Sequence, residues 1–143
     1  MLPNILSSYL NQIEQAIQQY NDAYVEYYEE EILNLERTNL RIRLRFQQEY
    51  LLEINEAIIV IDNQLEFLDY RYHFQDGKNQ LVFRYDSTPH FPNLINFPHH
   101  KHLPENVISS KKPEIMGLST RVCKLIIKDT NKLSTGAQSC QSF

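Results

Sequence analysis

A chain of 143 residues that is 42% hydrophobic and 22% charged has the composition of an ordinary globular domain and enough apolar material for one core. A net charge of −4 and a pI near 5.7 exclude bulk attraction to nucleic acid, so any anion site must come from local clusters of Arg, Lys and His. Three glycines without a GxGxxG or Walker-type loop argue against a nucleotide cofactor, and the two cysteines, Cys123 and Cys140, neither complete a zinc cage nor define a disulfide scaffold.

The opening stretch "MLPNILSSYLNQIEQ" lacks the basic and apolar regions of a signal peptide. No apolar run approaches the roughly 18 residues of a membrane span. A cytoplasmic protein without membrane contact is therefore expected. Residues 4–20 place Leu6, Tyr9, Leu10, Ile13, Ala16, Ile17 and Tyr20 at helical spacing, which predicts one amphipathic helix lying on a flat surface.

From Ala23 the period changes to two. "AYVEYYEEEILNL" predicts a first strand, "ERTN" a turn, and "LRIRLRF" a second strand. In that second strand Leu40, Ile42, Leu44 and Phe46 face one way and Arg41, Arg43 and Arg45 the other. "YLLEINEAIIVI", "LEFLDYRYHF" and "LVFRYD" predict three more strands, the last two joined by "QDGKNQ" with its Asp-Gly turn signal. The expected fold is α+β: an N-terminal amphipathic helix on a five-stranded antiparallel meander, then a His/Pro-rich loop and a short C-terminal helix. Residues 1–113 form the expected domain. Residues 114–143 are expected to add a closing helix, starting in "PEIMGLSTRVCKLIIK", and a frayed polar tail, "DTNKLSTGAQSCQSF".

The alternation predicts where chemistry sits. In "YRYHF", Arg71 and His73 share the face opposite Tyr70, Tyr72 and Phe74, and in "FRYD" Arg84 faces away from Phe83 and Tyr85. If the apolar rows align, Arg71, His73, Arg84 and part of the Arg41/Arg43/Arg45 row collect on one face, with tyrosines bordering it. Such a face suits an RNA backbone with stacked bases. Cross-strand pairing of the arginine row with Glu29, Glu30 and Glu31 is the competing use of those charges.

The segment "PHFPNLINFPHHKH" then packs four of the five histidines and three of the six prolines into residues 89–102. Prolines 89, 92, 98 and 104 predict an extended path, pinned to the sheet edge by Phe91, Leu94, Ile95 and Phe97. Imidazoles exchange protons near neutrality, and His with Arg suffices for metal-free RNA cleavage. A metal site is the other use: His99 and His102 with His90 nearby, completed by Asp86 or His73. That spacing matches no ligand pattern, so no metal and no cofactor is expected. Backbone bridging by individual histidines is a third use.

"NLRIRLRF", "YLLEINEAIIV", "LDYRYHFQD", "LVFRYDSTPHFP" and "NFPHHKHLPENVI" together resemble the TumE-like family, toxin components of prokaryotic type II toxin–antitoxin pairs. The similarity runs from about the first helix to Pro113. It implies a small cytoplasmic growth inhibitor neutralised by a partner antitoxin encoded beside it, and it fixes no catalytic mechanism. Family members continue past a Lys-Pro like Lys112-Pro113 into a short amphipathic closing helix, whereas here the run through Gly117 becomes "LSTRVCKLIIKDTNKLSTGAQSCQSF", unlike that ending.

The expected function is an RNA-directed toxin acting as a metal-independent endoribonuclease. His73, His90, His99, His100 and His102 are the expected proton-exchanging residues, and Arg71, Arg84, Arg43, Arg45, Tyr72 and Lys101 the phosphate- or RNA-binding ones. The alternatives are a non-catalytic RNA- or ribosome-binding inhibitor and a metal-dependent enzyme using the histidine cluster.

Overall fold

The computed structural model describes residues 2–20 and 22–133. A helix, α1 (Asn4–Gln18), precedes seven strands: β1 (Tyr24–Ile32), β2 (Arg37–Arg45), β3 (Leu51–Ile61), β4 (Gln64–Gln75), β5 (Leu81–Asp86), β6 (His100–His102) and β7 (Val107–Ser109). A second helix, α2 (Ile115–Leu133), follows. The strands form one sheet in chain order, each antiparallel to the last. The α+β meander is as expected, but it has seven strands rather than five.

The two extra strands lie where a proline-rich loop was expected. His100–His102 pairs with β5 on one side and with Val107–Ser109 on the other. A three-residue strand is too short to show a period of two. Pro98 and Pro104 bracket it without interrupting it, so no ladder N–H is lost. The pinning of the preceding segment is also narrower than expected: Phe91 and Leu94 are half-buried, whereas Ile95 (76%) and Phe97 (45%) are exposed.

One sheet face carries the core. Leu40, Ile42 and Leu44 of β2, Leu52, Ile54 and Ile58 of β3, Tyr70, Tyr72 and Phe74 of β4, and Phe83 and Tyr85 of β5 are all buried. Leu6, Leu10, Ile13, Ala16 and Ile17 of α1 pack on them, as do Ile115, Leu118, Val122 and Ile126 of α2. The Tyr20 hydroxyl ties the two helices by donating to the Ile115 carbonyl at 2.5 Å. Helix α2 reaches Leu133, so residues 129–133 of the expected frayed tail are helical; residues 134–143 lie outside the described residues. No helix among the described residues is long and apolar enough to cross a membrane.

Turn chemistry sets the registers. The β1–β2 turn is made by residues 33–36, ahead of the expected "ERTN", because the Asn34 side chain accepts the Glu36 N–H at 2.8 Å and Arg37 already pairs with β3. Asp62 and Asn63 both take positive φ, as a two-residue hairpin between β3 and β4 requires. In the β4–β5 turn Asp76 Oδ1 accepts from the N–H groups of Lys78 and Gln80. Gly77 is required there by close approach, since a Cβ would lie 2.5 Å from the Gln48 carbonyl oxygen.

One charge is buried in the helix-facing layer. Glu56 is 3% exposed, accepts hydrogen bonds from Tyr9 at 2.6 Å and from Tyr72, and lies 3.9 Å from Lys112 Nζ. Desolvation raises its pKa, and the Lys112 charge and both tyrosines oppose that rise. The network joins α1, two central strands and the segment leading into α2.

Ile54 is fully buried in a central strand. Ile54→Ala is expected to cost about 2–5 kcal/mol of unfolding free energy by loss of transfer energy and creation of a cavity. Urea denaturation of the two proteins measures the difference.

Candidate functional site

The face away from the helices is built from alternate residues of the same strands. Register pairs Arg71 with Asp86 and Asp86 with His100; one rung along, His73 pairs with Arg84 and Arg84 with His102. Cross-strand partners project from the same side of a sheet, so these six side chains form two adjacent rows across β4, β5 and β6. The Phe91 ring lies edge-on to both His100 (5.0 Å between centroids) and His102 (5.9 Å) and covers this end of the face. A cleft of about 180 Å³ is lined by Arg71, Arg84, Asp86, Thr88, His90, Phe91, His100 and His102.

Asp86 is the hub. Its Oδ1 lies 2.7 Å from His100 Nε2, its Oδ2 3.3 Å from His102 Nε2 and 3.3 Å from Arg84 Nε. The two imidazole Nε2 atoms are 3.0 Å apart. The Thr88 N–H donates to Asp86 Oδ1 at 3.1 Å and fixes the carboxylate. On the far side of its ring, His100 Nδ1 is 2.9 Å from the Pro98 carbonyl oxygen. A carbonyl only accepts, so that nitrogen carries a hydrogen.

Asp86 and His100 are 4% and 2% exposed. Arg84 Nε is buried and makes no hydrogen bond among the described residues; its distance to Asp86 suits an ion pair, but its angle does not suit a hydrogen bond. The guanidinium is therefore held beside the carboxylate without being saturated by it. Burial lowers the His73 pKa, with Arg84 and Arg71 adding to the effect and Gln75 and Glu53 opposing it. Burial and the Arg84 charge likewise lower the pKa of His102, against the pull of Asp86. Both imidazoles are thus biased toward the neutral form at neutral pH.

Of the expected site residues, Arg71, His73, Arg84, His100 and His102 come together, and exposed His90 lines the same cleft. The others do not join them. His99 stacks on Tyr70, with its Nδ1 hydrogen-bonded to the Tyr70 hydroxyl at 2.9 Å on the helix side. Tyr72 is fully buried beneath α1 with its hydroxyl on Glu56, where no base can stack on it.

Lys101 points to that same side, its Nζ 4.9 Å from the Tyr85 ring centroid. The reason is alternation: once "HKH" is a strand, its lysine must face opposite to its flanking histidines. Arg43 and Arg45 lie on the polar face but in ion pairs, with Glu53 at 3.2 Å and Glu26 at 3.1 Å. Their partners belong to β3 and to the start of β1, not to the Glu29–Glu31 run.

Asp86 is the residue missing from the expected catalytic and RNA-binding set. Its signal was its place at the end of "FRYD", two residues from Arg84 and so on the same face. What could not be read there was its pairing with His100, which depends on β6.

A small α+β protein with two helices on one sheet face and a His/Arg/Asp cluster on the other is the class that these features define. The chain belongs to the TumE toxin family: the family model described as Toxin TumE matches residues 13–132, from α1 through nearly all of α2. No curated protein and no solved structure matches it.

The lowered His73 pKa has a stability consequence. The unfolded chain takes up a proton at this residue near the ordinary value of 6.5, and the folded chain does so only at lower pH. Stability therefore falls as pH drops from about 6.5 through the folded-state pKa, and His73→Gln removes that part of the slope. Thermal midpoints of wild type and variant across mildly acidic buffers measure it, and parallel slopes would count against the assignment.

Proposed function

We propose that this TumE-family toxin acts on RNA, gripping and cleaving a phosphodiester at the polar face of β4, β5 and β6. The observation that supports the reading is the pair of cross-strand rows, in which two arginines and three histidines surround a single carboxylate. Phosphate is the anion that such a set suits, because each guanidinium offers a planar fork of donors and the local charge is positive on an otherwise acidic chain.

In this reading Arg71 and Arg84 hold the phosphate and take up the charge that develops on its oxygens. His73, biased toward the neutral form, accepts the proton of the attacking 2′-hydroxyl. The leaving oxygen takes its proton from an imidazole at the β6 end of the two rows, His100 or His102, both held by Asp86. The toxin works in the cytoplasm, and a partner antitoxin neutralises it. A second reading, growth inhibition by occupancy of RNA or a ribosome without cleavage, uses the same face and differs only in product.

Incubating the purified full chain with cellular RNA, with divalent ions and with EDTA in parallel arms, separates the two readings. Cleavage in either arm supports an endoribonuclease. Salt-sensitive association without product supports occupancy, and neither outcome with folded protein removes RNA as the target. Arg71→Ala and Arg84→Ala are each expected to make the log–log salt dependence of RNA binding shallower by about 1.

A further inference from the structure

We infer that Asp86, His100 and His102 bind one divalent transition-metal ion of the zinc class. On a loop, "HHKH" offers His99 and His102 at a spacing that matches no ligand pattern. Strand β6 changes the donor set, since alternation turns His99 and Lys101 away and brings His100 and His102 side by side against Asp86.

Potential ligand atoms then converge: the Nε2 atoms of His100 and His102 are 3.0 Å apart, Asp86 Oδ1 is 2.7 Å from the first, and Asp86 Oδ2 is 3.3 Å from the second. Ligands about 2.0–2.1 Å from a tetrahedral zinc sit roughly 3.4 Å from one another, so the shortest of these separations must lengthen by about 0.7 Å to admit an ion.

Hydrogen accounting points the same way. The Nδ1 hydrogen of His100 is committed to the Pro98 carbonyl. That tautomer leaves a lone pair on Nε2, aimed at the Asp86 carboxylate and the His102 nitrogen, so any hydrogen the three share must come from Nε2 of His102 or from a second proton on His100. A cation satisfies all three at once. A second proton on His100 would satisfy Asp86 but leave the His102 nitrogen competing for the same hydrogen.

The surroundings are those of a metal ligand set. A backbone carbonyl orients the imidazole of His100, a backbone N–H fixes the carboxylate, and an aromatic ring covers the two histidines. Three protein ligands leave a position open, and that position faces the cleft lined by Arg71, Arg84 and His90. Two imidazoles and a carboxylate suit zinc or a neighbouring divalent ion better than magnesium or calcium, which prefer all-oxygen sites. An ion there would meet a phosphate oxygen between the two arginines. That role rests on the RNA reading; the binding itself does not.

The test uses the full chain, stripped with chelator and dialysed. Calorimetric titration with zinc is expected to give one ion per chain, and zinc is expected to raise the thermal midpoint. His102 is the most exposed of the three side chains, at 19%, so His102→Ala is the variant that best preserves the fold. It is expected to weaken zinc binding by at least about 10-fold, the smallest effect usual for residues that only support a ligand. Cobalt(II) in the wild type is expected to give visible ligand-field bands, which provides a readout even if the variant does not fold.

Absence of zinc binding by the folded wild type, or equal binding by folded His102→Ala, overturns the inference. RNA cleavage in EDTA by a chain that takes up no zinc would remove the ion and leave the RNA reading standing. One bound zinc beside untouched RNA would do the reverse.

Discussion

Burial of one apolar row fixes everything on the other side of the sheet. Ile54, Tyr72 and Tyr85 lie opposite one another, as do Leu52, Phe74 and Phe83, and all are nearly or fully inaccessible beneath the two helices. Slipping any of these strands by one residue would expose its buried set and push Arg71, His73 or Arg84 into the core, where an unpaired charge is costly. The positions of the polar side chains on β4–β6 are thus a consequence of core packing. The catalytic candidates sit on a scaffold they did not have to build.

The outer face divides into two electrostatic regions. Over β1, β2 and β3 two arginines are held in ion pairs: Glu26 with Arg45 and Glu53 with Arg43. In the cleft over β5 and β6 the balance shifts, because Arg71 and Arg84 line it with a single carboxylate, Asp86, while Asp69 of β4 and Glu53 of β3 stand at its margin. A chain of net charge −4 acquires in this way a locally electropositive cleft, and locality is what matters over a Debye length of about 8 Å. On the helix side Glu56 has a different job. Two tyrosine hydroxyls and a lysine hold it where burial disfavours its charge, which fastens α1 to the sheet opposite the cleft.

Much of this was legible in order along the chain. Strict alternation in "LRIRLRF" and "YRYHF" assigned faces to Leu40, Ile42, Leu44, Arg71 and His73 that the structure keeps, because a period of two has only one way to bury its apolar half. The arginine row was legible as a row, and Arg41 does stand opposite Glu29 of the expected glutamate run, but Arg43 and Arg45 pair elsewhere, with a bulge at Glu26 shifting β1 by one residue against β2. Tyr72 and Lys101 show how the reading fails. An aromatic or a lysine next to basic residues looks like part of an RNA surface, but in a strand a neighbour in sequence is an opposite in space.

The sequence by itself determined the helix, the five long strands, the apolar face and the concentration of imidazole after the last of those strands, because each is a local pattern with its own period. Only the tertiary structure decided what "HHKH" is. Three residues between prolines carry no periodic signal, and they become a strand only because β5 offers an unpaired edge on which to add. That pairing, made across a connection of thirteen residues between Asp86 and His100, chose His100 and His102 over His99 and set both against Asp86.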